Sequence, residues 1–291
     1  MSITDRIKPV HALPRVLTAL IYGRSGTGKT TFAASYPKPA LVIDIREKGT
    51  DSISNIEGVD VVSVENWSEV EEVYWYLKSG EGTKYKSVIL DQISSLQDLA
   101  MEHAMAEEGR DVMSQRLWGV VSGLMKTWLL NYRDLQDNDM NVAFIAHDRV
   151  SKGGDSDEDD DSIDPQVGAR LMPSVAGTLN GAVKVIGYTF VREVFLEEDD
   201  KARQVEYCMR LAPHPYYTTK MRNPLGTTIP EYIVNPTYQR IVDLMVSGEV
   251  KPVRKTLNPK PEETKPAPAE EATAEATGTK APVKRTLNKE K

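Results

Sequence analysis

The sequence predicts an α/β fold with a mainly parallel central sheet flanked by helices. Short continuous apolar runs bounded by turn residues, such as residues 40–45 and 87–91, are typical of strands buried on both faces of a parallel sheet. Segments with apolar residues at helical spacing, such as residues 114–136, separate these runs. Strands that alternate with helices are joined by βαβ crossovers, so we expect a mainly parallel sheet.

The expected elements follow one another along residues 16–248, which we interpret as one domain. The expected strands are residues 16–22, 40–45, 59–64, 87–91, 141–146, 183–197 and 204–211. The expected helices are residues 29–35, 68–79, 95–108, 114–136, 173–179 and 236–246. A turn near Asp199 joins the last two strands, which we expect to be antiparallel additions at the C-terminal side of the sheet.

Three stretches differ from this domain in composition. Residues 1–15 hold a few apolar residues among prolines and are expected to form an N-terminal arm, either docked on a neighbouring surface or frayed. Residues 151–168 include a dense acidic run and are predicted to form a mobile loop, because they cannot bury enough apolar surface to order themselves. Residues 249–291 are rich in Pro, Ala, Lys, Glu and Thr, which is typical of a disordered tail.

The predicted tail contains a repeated basic motif. Residues 252–258 read PVRKTLN, and residues 282–288 read PVKRTLN. One interpretation is a duplicated docking peptide for a partner such as a single-strand-binding or replication protein, or a patch that contacts phosphate. The other interpretation is neutral low-complexity sequence, and the two remain open here.

The composition is that of an ordinary globular protein. Of the 291 residues, 40% are hydrophobic and 27% are charged. No apolar run approaches the roughly 18 residues of a membrane span, so we expect neither a signal peptide nor a membrane helix. The single cysteine, Cys208, cannot form an internal disulfide, which favours a reducing cytoplasm. The net charge of −7 argues against a broad basic surface for indiscriminate duplex binding.

A glycine-rich motif directly follows the first expected strand. Residues 23–30 read Gly-Arg-Ser-Gly-Thr-Gly-Lys-Thr and match G-x-x-x-x-G-K-[ST], in which backbone N–H groups cradle nucleotide phosphates. Lys29 is expected to reach the β- and γ-phosphates, and Thr30 to place its hydroxyl on Mg²⁺. The alternative is a glycine-rich turn that matches by chance. The expected nucleotide-binding residues are Gly23, Arg24, Ser25, Gly26, Thr27, Gly28, Lys29, Thr30 and Thr31.

Asp91 ends an apolar strand and is the candidate second metal ligand, together with Thr30. The alternative role is a helix cap, because Ser94 and Ser95 follow it. The next residue is Gln92 rather than Glu, so a carboxylate that orients the attacking water must come from elsewhere.

Two carboxylates at the end of the expected strand 40–45 are candidates for that role. Asp44 lies within the strand, whereas Glu47 lies on the turn towards Gly49, and we choose Glu47. The choice assumes that this strand lies next to the glycine-rich loop. The alternative is that Glu47 is an ordinary solvated loop acid.

Three further polar residues complete the candidate site. His147 follows the expected strand 141–146, where its side chain could contact the γ-phosphate and report its loss; the alternative is an incidental strand-end histidine. Lys220 and Arg222 place two cations on one side of an extended segment. In subunits stacked head to tail they could enter the neighbour's nucleotide site; otherwise they are surface charges.

Taken together, these residues resemble the RecA-like P-loop ATPases, and among them the short phage-encoded proteins of the single-strand annealing and recombination group. The resemblance covers roughly residues 15–248 and depends on four segments. They are residues 23–30, residues 90–96 (LDQISSL) as the Walker B segment, residues 144–147 (FIAH) as the polar switch position, and Lys220-x-Arg222 as the cationic pair offered to an adjacent subunit.

The resemblance implies a RecA-like core that binds ATP and Mg²⁺, hydrolyses ATP, forms homo-oligomers with contacts in trans, and acts on single-stranded DNA in the cytoplasm of a bacterial host. Two alternatives remain open. One is a nucleotide-switched adaptor or loader that recruits a replication or recombination partner through its tail. The other is a degenerate nucleotide-binding module without turnover.

The acidic run generates a first testable prediction. RecA relatives carry DNA-contacting segments after the residue that corresponds to His147, but here residues 155–164 hold seven acidic side chains that repel phosphate. Deleting residues 155–164 is therefore expected to strengthen single-stranded DNA binding, most at low salt, as measured by fluorescence anisotropy over a salt series. An unchanged affinity at low salt would contradict this prediction.

Overall fold

The central element is strand β1 (Thr18–Gly23), which lies inside a sheet covered by helices on both faces. The computed structural model describes residues 2–7, 9, 16–152, 165–196, 199–223 and 227–247. The other strands are β2 (Ala40–Ile45), β3 (Val59–Val64), β4 (Ser87–Asp91), β5 (Asn141–Ala146), β6 (Asp148–Lys152), β7 (Pro165–Ala169), β8 (Val185–Leu196), β9 (Asp199–Arg210), β10 (Lys220–Met221) and β11 (Tyr232–Val234). The helices are α1 (Ile3–Arg6), α2 (Lys29–Ala33), α3 (Trp67–Lys78), α4 (Ile93–Glu107), α5 (Gln115–Arg133), α6 (Pro173–Ala182) and α7 (Tyr238–Ser247).

The main sheet confirms the predicted α/β class. Its hydrogen-bonded order is β11-β9-β8-β1-β5-β4-β2-β3, with β10 paired to β8. The strands from β8 to β3 in this order are mutually parallel, whereas β9, β10 and β11 pair in the antiparallel sense. The molecule therefore has a parallel core, with antiparallel strands added at the C-terminal side as predicted.

Alternating side chains of β1 join two separate apolar cores. Leu20 and Tyr22 pack into the cluster formed with helices α3 to α6. Ala19 and Ile21 pack into the cluster on the other face, formed with α2 and α7. Strand side chains point alternately to opposite faces, and full burial of an aliphatic side chain contributes about 1.5–3 kcal/mol. Burial on both faces therefore fixes β1, and with it the start of the glycine-rich loop.

Local sequence determines where the long helices begin. Asn66 precedes α3, and its Oδ1 accepts a hydrogen bond from the Glu69 N–H at 3.1 Å. The Glu69 carboxylate accepts the Glu65 N–H and the Asn66 side-chain amide, each at 2.7 Å, so these contacts stabilise the start of the helix from both directions. Ser114 caps α5 in the same way through the Leu117 N–H at 3.3 Å.

Two parts of the sheet differ from expectation. Strand β3 was expected to be buried on both faces, but it lies at the end of the described sheet and Val61 is 45% exposed. Residues 151–168 were expected to form a loop, but their two ends belong to β6 and β7, which pair as an antiparallel hairpin. Residues 153–164, which include the acidic run, lie outside the described residues.

The segment before the domain contributes little to the core. Helix α1 is a single turn, and the neighbouring side chains of Ile3 and Ile7 are 69% and 74% exposed. The predicted tail and its repeated motif lie outside the described residues. Within the described ranges, no helix combines the length and apolar character needed to cross a membrane.

A buried amide connects the ends of three elements at the amino edge of the sheet. Asn141 is 5% exposed and begins β5. Its Oδ1 accepts hydrogen bonds from the Leu17 N–H at 2.7 Å and from the Tyr238 hydroxyl at 3.0 Å. Its Nδ2 donates to the Lys86 carbonyl at 3.1 Å. One side chain thus joins the segments before β1 and β4 to α7.

We predict that Asn141→Ala lowers the free energy of unfolding by about 2–3 kcal/mol, because it leaves the buried Leu17 N–H without its acceptor. Urea denaturation of the full chain provides the measurement. Asn138→Ala is the matched control, because Asn138 is exposed and is expected to tolerate the change within about 0.5 kcal/mol. Equal stability of the two variants would contradict the assigned role of Asn141.

Candidate functional site

The register of the parallel strands brings the predicted site residues to one edge of the sheet. Tyr22 of β1 pairs with Ala146 of β5, and Asp91 of β4 pairs with Ile145. The glycine-rich loop that follows β1, the carboxylate that ends β4 and the histidine that follows β5 therefore lie side by side. The carboxyl edge of a parallel sheet is the usual location of ligand sites in α/β proteins.

The glycine-rich loop is held closely against strand β8. A Cβ atom added at Gly23 would lie 2.4 Å from both the carbonyl oxygen and Oγ1 of Thr189, so a larger residue cannot be accommodated without a shift. The hydroxyls of Thr27 and Thr189 lie 2.7 Å apart, and Thr27 also donates to the Arg24 carbonyl at 2.8 Å. Gly28 has a φ of +81°, which favours glycine because it has no Cβ. These contacts fix the path of the loop.

Lys29 is drawn into this loop. Its side chain is 8% exposed, and Nζ donates to the carbonyl oxygens of Gly23 at 2.9 Å and Arg24 at 2.7 Å. Burial lowers the Lys29 pKa, and this effect is opposed by nearby carboxylates, Asp91 first among them. A phosphate in the loop would supply the negative charge that favours the ammonium form.

Thr30 and Asp91 are in direct contact. The Thr30 hydroxyl donates to Asp91 Oδ2 at 2.7 Å. Burial raises the Asp91 pKa, and the Thr30 hydrogen bond and the charge of Lys29 oppose that rise. No cluster of three or more His, Cys, Asp or Glu suited to a metal occurs among the residues that the structure describes. One carboxylate beside one hydroxyl fits Mg²⁺, which takes its remaining ligands from substrate phosphates and water.

The two carboxylates near the end of β2 have different surroundings. Asp44 is 4% exposed, and its Oδ1 accepts the N–H groups of Glu47 at 3.1 Å and Lys48 at 3.0 Å. Asp44 therefore stabilises the turn. Glu47 lines the cavity beside the loop. The assumption that β2 lies next to the loop was wrong, because β5 and β4 lie between β1 and β2; Glu47 reaches the cavity because the turn extends beyond the strand.

A polar cluster connects Glu47 to the ends of β4 and β5. The Ser95 hydroxyl donates to Glu47 Oε1 at 2.9 Å, and His147 Nε2 lies 4.0 Å from Glu47 Oε2. The side-chain nitrogen of Gln92 lies 2.6 Å from His147 Nε2. Burial and the charge of Lys29 lower the His147 pKa, so the neutral ring is favoured and Nε2 accepts from Gln92.

These residues surround a cavity of about 720 Å³, a size typical of small-molecule sites. Of the expected residues, its walls include Ser25, Gly26, Thr27, Gly28, Lys29, Thr30, Thr31, Glu47, Asp91 and His147. Gly23 and Arg24 do not line the cavity, and instead supply the carbonyl oxygens that hold Lys29. The structure thus brings together most of the predicted nucleotide-binding residues and both predicted metal ligands.

Lys220 and Arg222 lie elsewhere. Lys220 pairs with Ile186 near the amino end of β8, so both cations lie at the opposite edge of the sheet from the glycine-rich loop. Lys220 Nζ donates to the Asn180 carbonyl at 2.5 Å, and Arg222 donates to the Gly181 carbonyl at 2.9 Å. Within the chain they neutralise the negative carboxyl end of α6. They contribute nothing to the cavity of their own chain.

The cavity also contains residues that sequence reasoning missed. Gln92, at 2% exposure, was noted in the sequence only as a residue that cannot replace a carboxylate, and its place in the cavity wall was missed. Tyr207 and residues 235–237 form a further wall, but they lie far from the motif in sequence. No local pattern marks them, because only the pairing of β9 with β8 and β11 brings them to the loop.

The comparison with protein families agrees with the presence of the motif. The model of a family described as AAA domain matches residues 15–223. Two similar solved structures are the flagellar accessory protein FlaH from Methanocaldococcus jannaschii and the RadB recombinase. FlaH is 10% identical, with a TM-score of 0.42 over 76% of this chain and 85% of that chain. RadB is 16% identical, with a TM-score of 0.38 over 65% and 86%. No curated protein matches the sequence.

The buried charge of Asp91 generates a prediction about stability without ligand. Because its pKa is raised, the ionised form lowers folded-state stability as the pH rises above the unfolded value of 3.8, and the full cost applies once the pH exceeds the folded-state pKa. Asp91→Asn is therefore expected to raise the thermal unfolding midpoint of the ligand-free protein at pH 7.5 by about 2–4 °C.

Differential scanning calorimetry of the two proteins provides this measurement. Asp111→Asn is the matched control, because Asp111 is exposed and does not line the cavity. The control is expected to leave the midpoint unchanged. A lower midpoint for Asp91→Asn than for the wild type would show that the carboxylate stabilises the empty site.

Proposed function

The chain belongs to the AAA-domain family, and from this premise we propose that it is a RecA-like ATPase that hydrolyses Mg-ATP at the carboxyl edge of its sheet. The observation that carries the proposal is the convergence of Lys29, Thr30, Asp91 and Glu47 on one cavity. The chain supplies one cation for phosphate, a hydroxyl and carboxylate for a metal, and a separate carboxylate for water. These are the parts that phosphoryl transfer requires.

In the proposed reaction, Lys29 exchanges its two loop carbonyls for phosphate oxygens, which need the same ammonium donors and carry more negative charge. Thr30 and Asp91 would hold Mg²⁺, which neutralises charge on the phosphates when bound. Backbone N–H groups of the loop orient the triphosphate. Binding is therefore expected to depend on Lys29 more than on any carboxylate.

Glu47 is the proposed residue that orients the attacking water. Gln92 cannot accept a proton as a carboxylate does, and Asp44 is occupied by backbone N–H groups. The Glu47 side chain is 38% exposed, with one oxygen held by Ser95 and the other near His147. This placement supports a carboxylate that is fixed in direction and still open to water.

Two variants test the proposal on the purified full chain. Lys29→Ala is expected to abolish saturable ATP binding, measured by calorimetry. Glu47→Gln is expected to retain binding and to lower the ATP hydrolysis rate by roughly 10²–10⁴-fold, the range for loss of a general base. Glu81→Gln is the matched control, because Glu81 is exposed and outside the cavity. An unchanged rate in Glu47→Gln, or ATP binding that survives Lys29→Ala, would refute the corresponding role.

The action on single-stranded DNA implied by the resemblance is also part of the proposal. A cleft of about 410 Å³ at the base of the β6–β7 hairpin is lined by Trp118, Arg149 and Arg170, among others. Trp118 is 39% exposed, and an aromatic ring beside cations suits the stacked bases and phosphates of a single strand. The Arg170 N–H donates to the His147 carbonyl at 2.8 Å, so this cleft adjoins the nucleotide cavity.

The proposal extends to assembly and context. The sequence resemblance supports a homo-oligomer and a role in phage recombination or annealing within the bacterial cytoplasm. The repeated basic motif of the tail supports recruitment of a replication or single-strand-binding protein. A role in trans for Lys220 and Arg222 would require both side chains to leave the α6 carbonyls.

A further inference from the structure

One wall of the cavity has a different chemistry from the surroundings of Lys29 and Asp91. This wall is the Tyr207 ring, and beside it lies the turn of residues 235–237, which contributes the ring of Pro236. Among the described residues that line the cavity, Lys29 is the single Lys or Arg. The wall formed by Tyr207 and the turn therefore carries no cation to bind phosphate, and it offers an aromatic ring and a proline ring beside the polar side chains of Asn235 and Thr237.

We propose that Tyr207, with the 235–237 turn beside it, is the stacking platform for the nucleobase of the bound nucleotide. This inference rests on the proposed function. It adds a residue that recognises the base of the nucleotide. The bound class is a purine or pyrimidine nucleoside triphosphate, since every base offers a π-face to an aromatic ring.

The Tyr207 side chain packs against the phosphate loop. A Cβ atom added at Gly28 would lie 3.2 Å from Tyr207 Cδ1, so the tyrosine ring rests directly against the loop backbone. Tyr207 nevertheless remains 45% exposed. An aromatic ring that contacts the phosphate cradle and stays open towards the cavity is placed where a nucleoside would emerge from the cradle.

The second wall is fixed to the same elements. The Asn235 N–H donates to the Tyr207 carbonyl at 2.7 Å, which sets the turn beside the ring. At the other end of the turn, the Tyr238 N–H donates to the Ser35 hydroxyl at 2.8 Å, just beyond α2. The turn is thus connected to both β9 and the helix of the phosphate loop. A platform built this way is present before the nucleotide arrives, which lowers the entropic cost of binding.

A ligand-by-variant experiment tests the proposal. Calorimetry with Mg²⁺ present gives dissociation constants of the full chain for ATP and for tripolyphosphate, which has no base. In the wild type, ATP is expected to bind roughly tenfold or more tightly than tripolyphosphate. Tyr207→Ala and Tyr207→Leu are expected to weaken ATP binding roughly tenfold and to leave tripolyphosphate binding within about twofold, whereas Tyr207→Phe retains both affinities.

Tyr207→Leu keeps an apolar side chain against Gly28, so it separates loss of the aromatic face from loss of support for the loop. The matched control is Tyr216→Ala, because Tyr216 is 43% exposed and does not line the cavity. The control is expected to bind both ligands as the wild type does.

Two results would overturn the stacking role while leaving the phosphate site intact. The first is that the wild type binds ATP and tripolyphosphate with equal affinity. The second is that the affinity for ATP is unchanged in both Tyr207→Ala and Tyr207→Leu. Equal weakening of both ligands in Tyr207→Leu would likewise refute it and would assign Tyr207 to loop support. A wild-type chain that binds neither ligand would refute the proposed function itself, and the inference with it.

Discussion

The site depends on the register between β1, β5 and β4. Parallel pairing places Tyr22 beside Ala146 and Ile145 beside Asp91, so the three strands end almost level. A shift of one residue would also reverse which core each side chain enters, because strand side chains alternate between faces. The two apolar cores therefore set the register, and the register sets the separation between the phosphate loop and the carboxylate. The chemistry at the edge is a consequence of packing in the interior.

Local sequence was sufficient to predict an element or a site residue wherever that residue acts through its own backbone or its immediate neighbours. The glycine-rich motif, the buried strands β2, β4 and β5 and the strand-end Asp91 could all be recognised from short patterns. The β6–β7 hairpin could not be recognised in this way, because its strands are short and largely polar. Their pairing is known only from the structure. Thr189 and Tyr207 were missed for the same reason, since their partners are more than 150 residues away in sequence.

The sequence identifies charged residues, but their surroundings are known only from the structure. Lys220 and Arg222 were interpreted either as cations for a neighbouring subunit's site or as surface charges, and within this chain they donate to the carbonyls that end α6. Asp44 and Glu47 lie on the same strand end and carry the same functional group. Backbone N–H groups occupy Asp44, whereas a hydroxyl and a ring nitrogen adjoin Glu47. Environment, which sequence does not specify locally, separates the structural carboxylate from the candidate reactive one.

The β6–β7 hairpin leaves the domain and returns to it at nearly one point. Asp148 pairs with Ala169 at its base, and the adjacent Arg170 N–H closes on the His147 carbonyl. Because this closure is local, the number and charge of residues inserted between Lys152 and Pro165 can change without displacing either strand end. A change of length or charge at this point of the chain is therefore separated from the strand ends that form the cavity beside the glycine-rich loop.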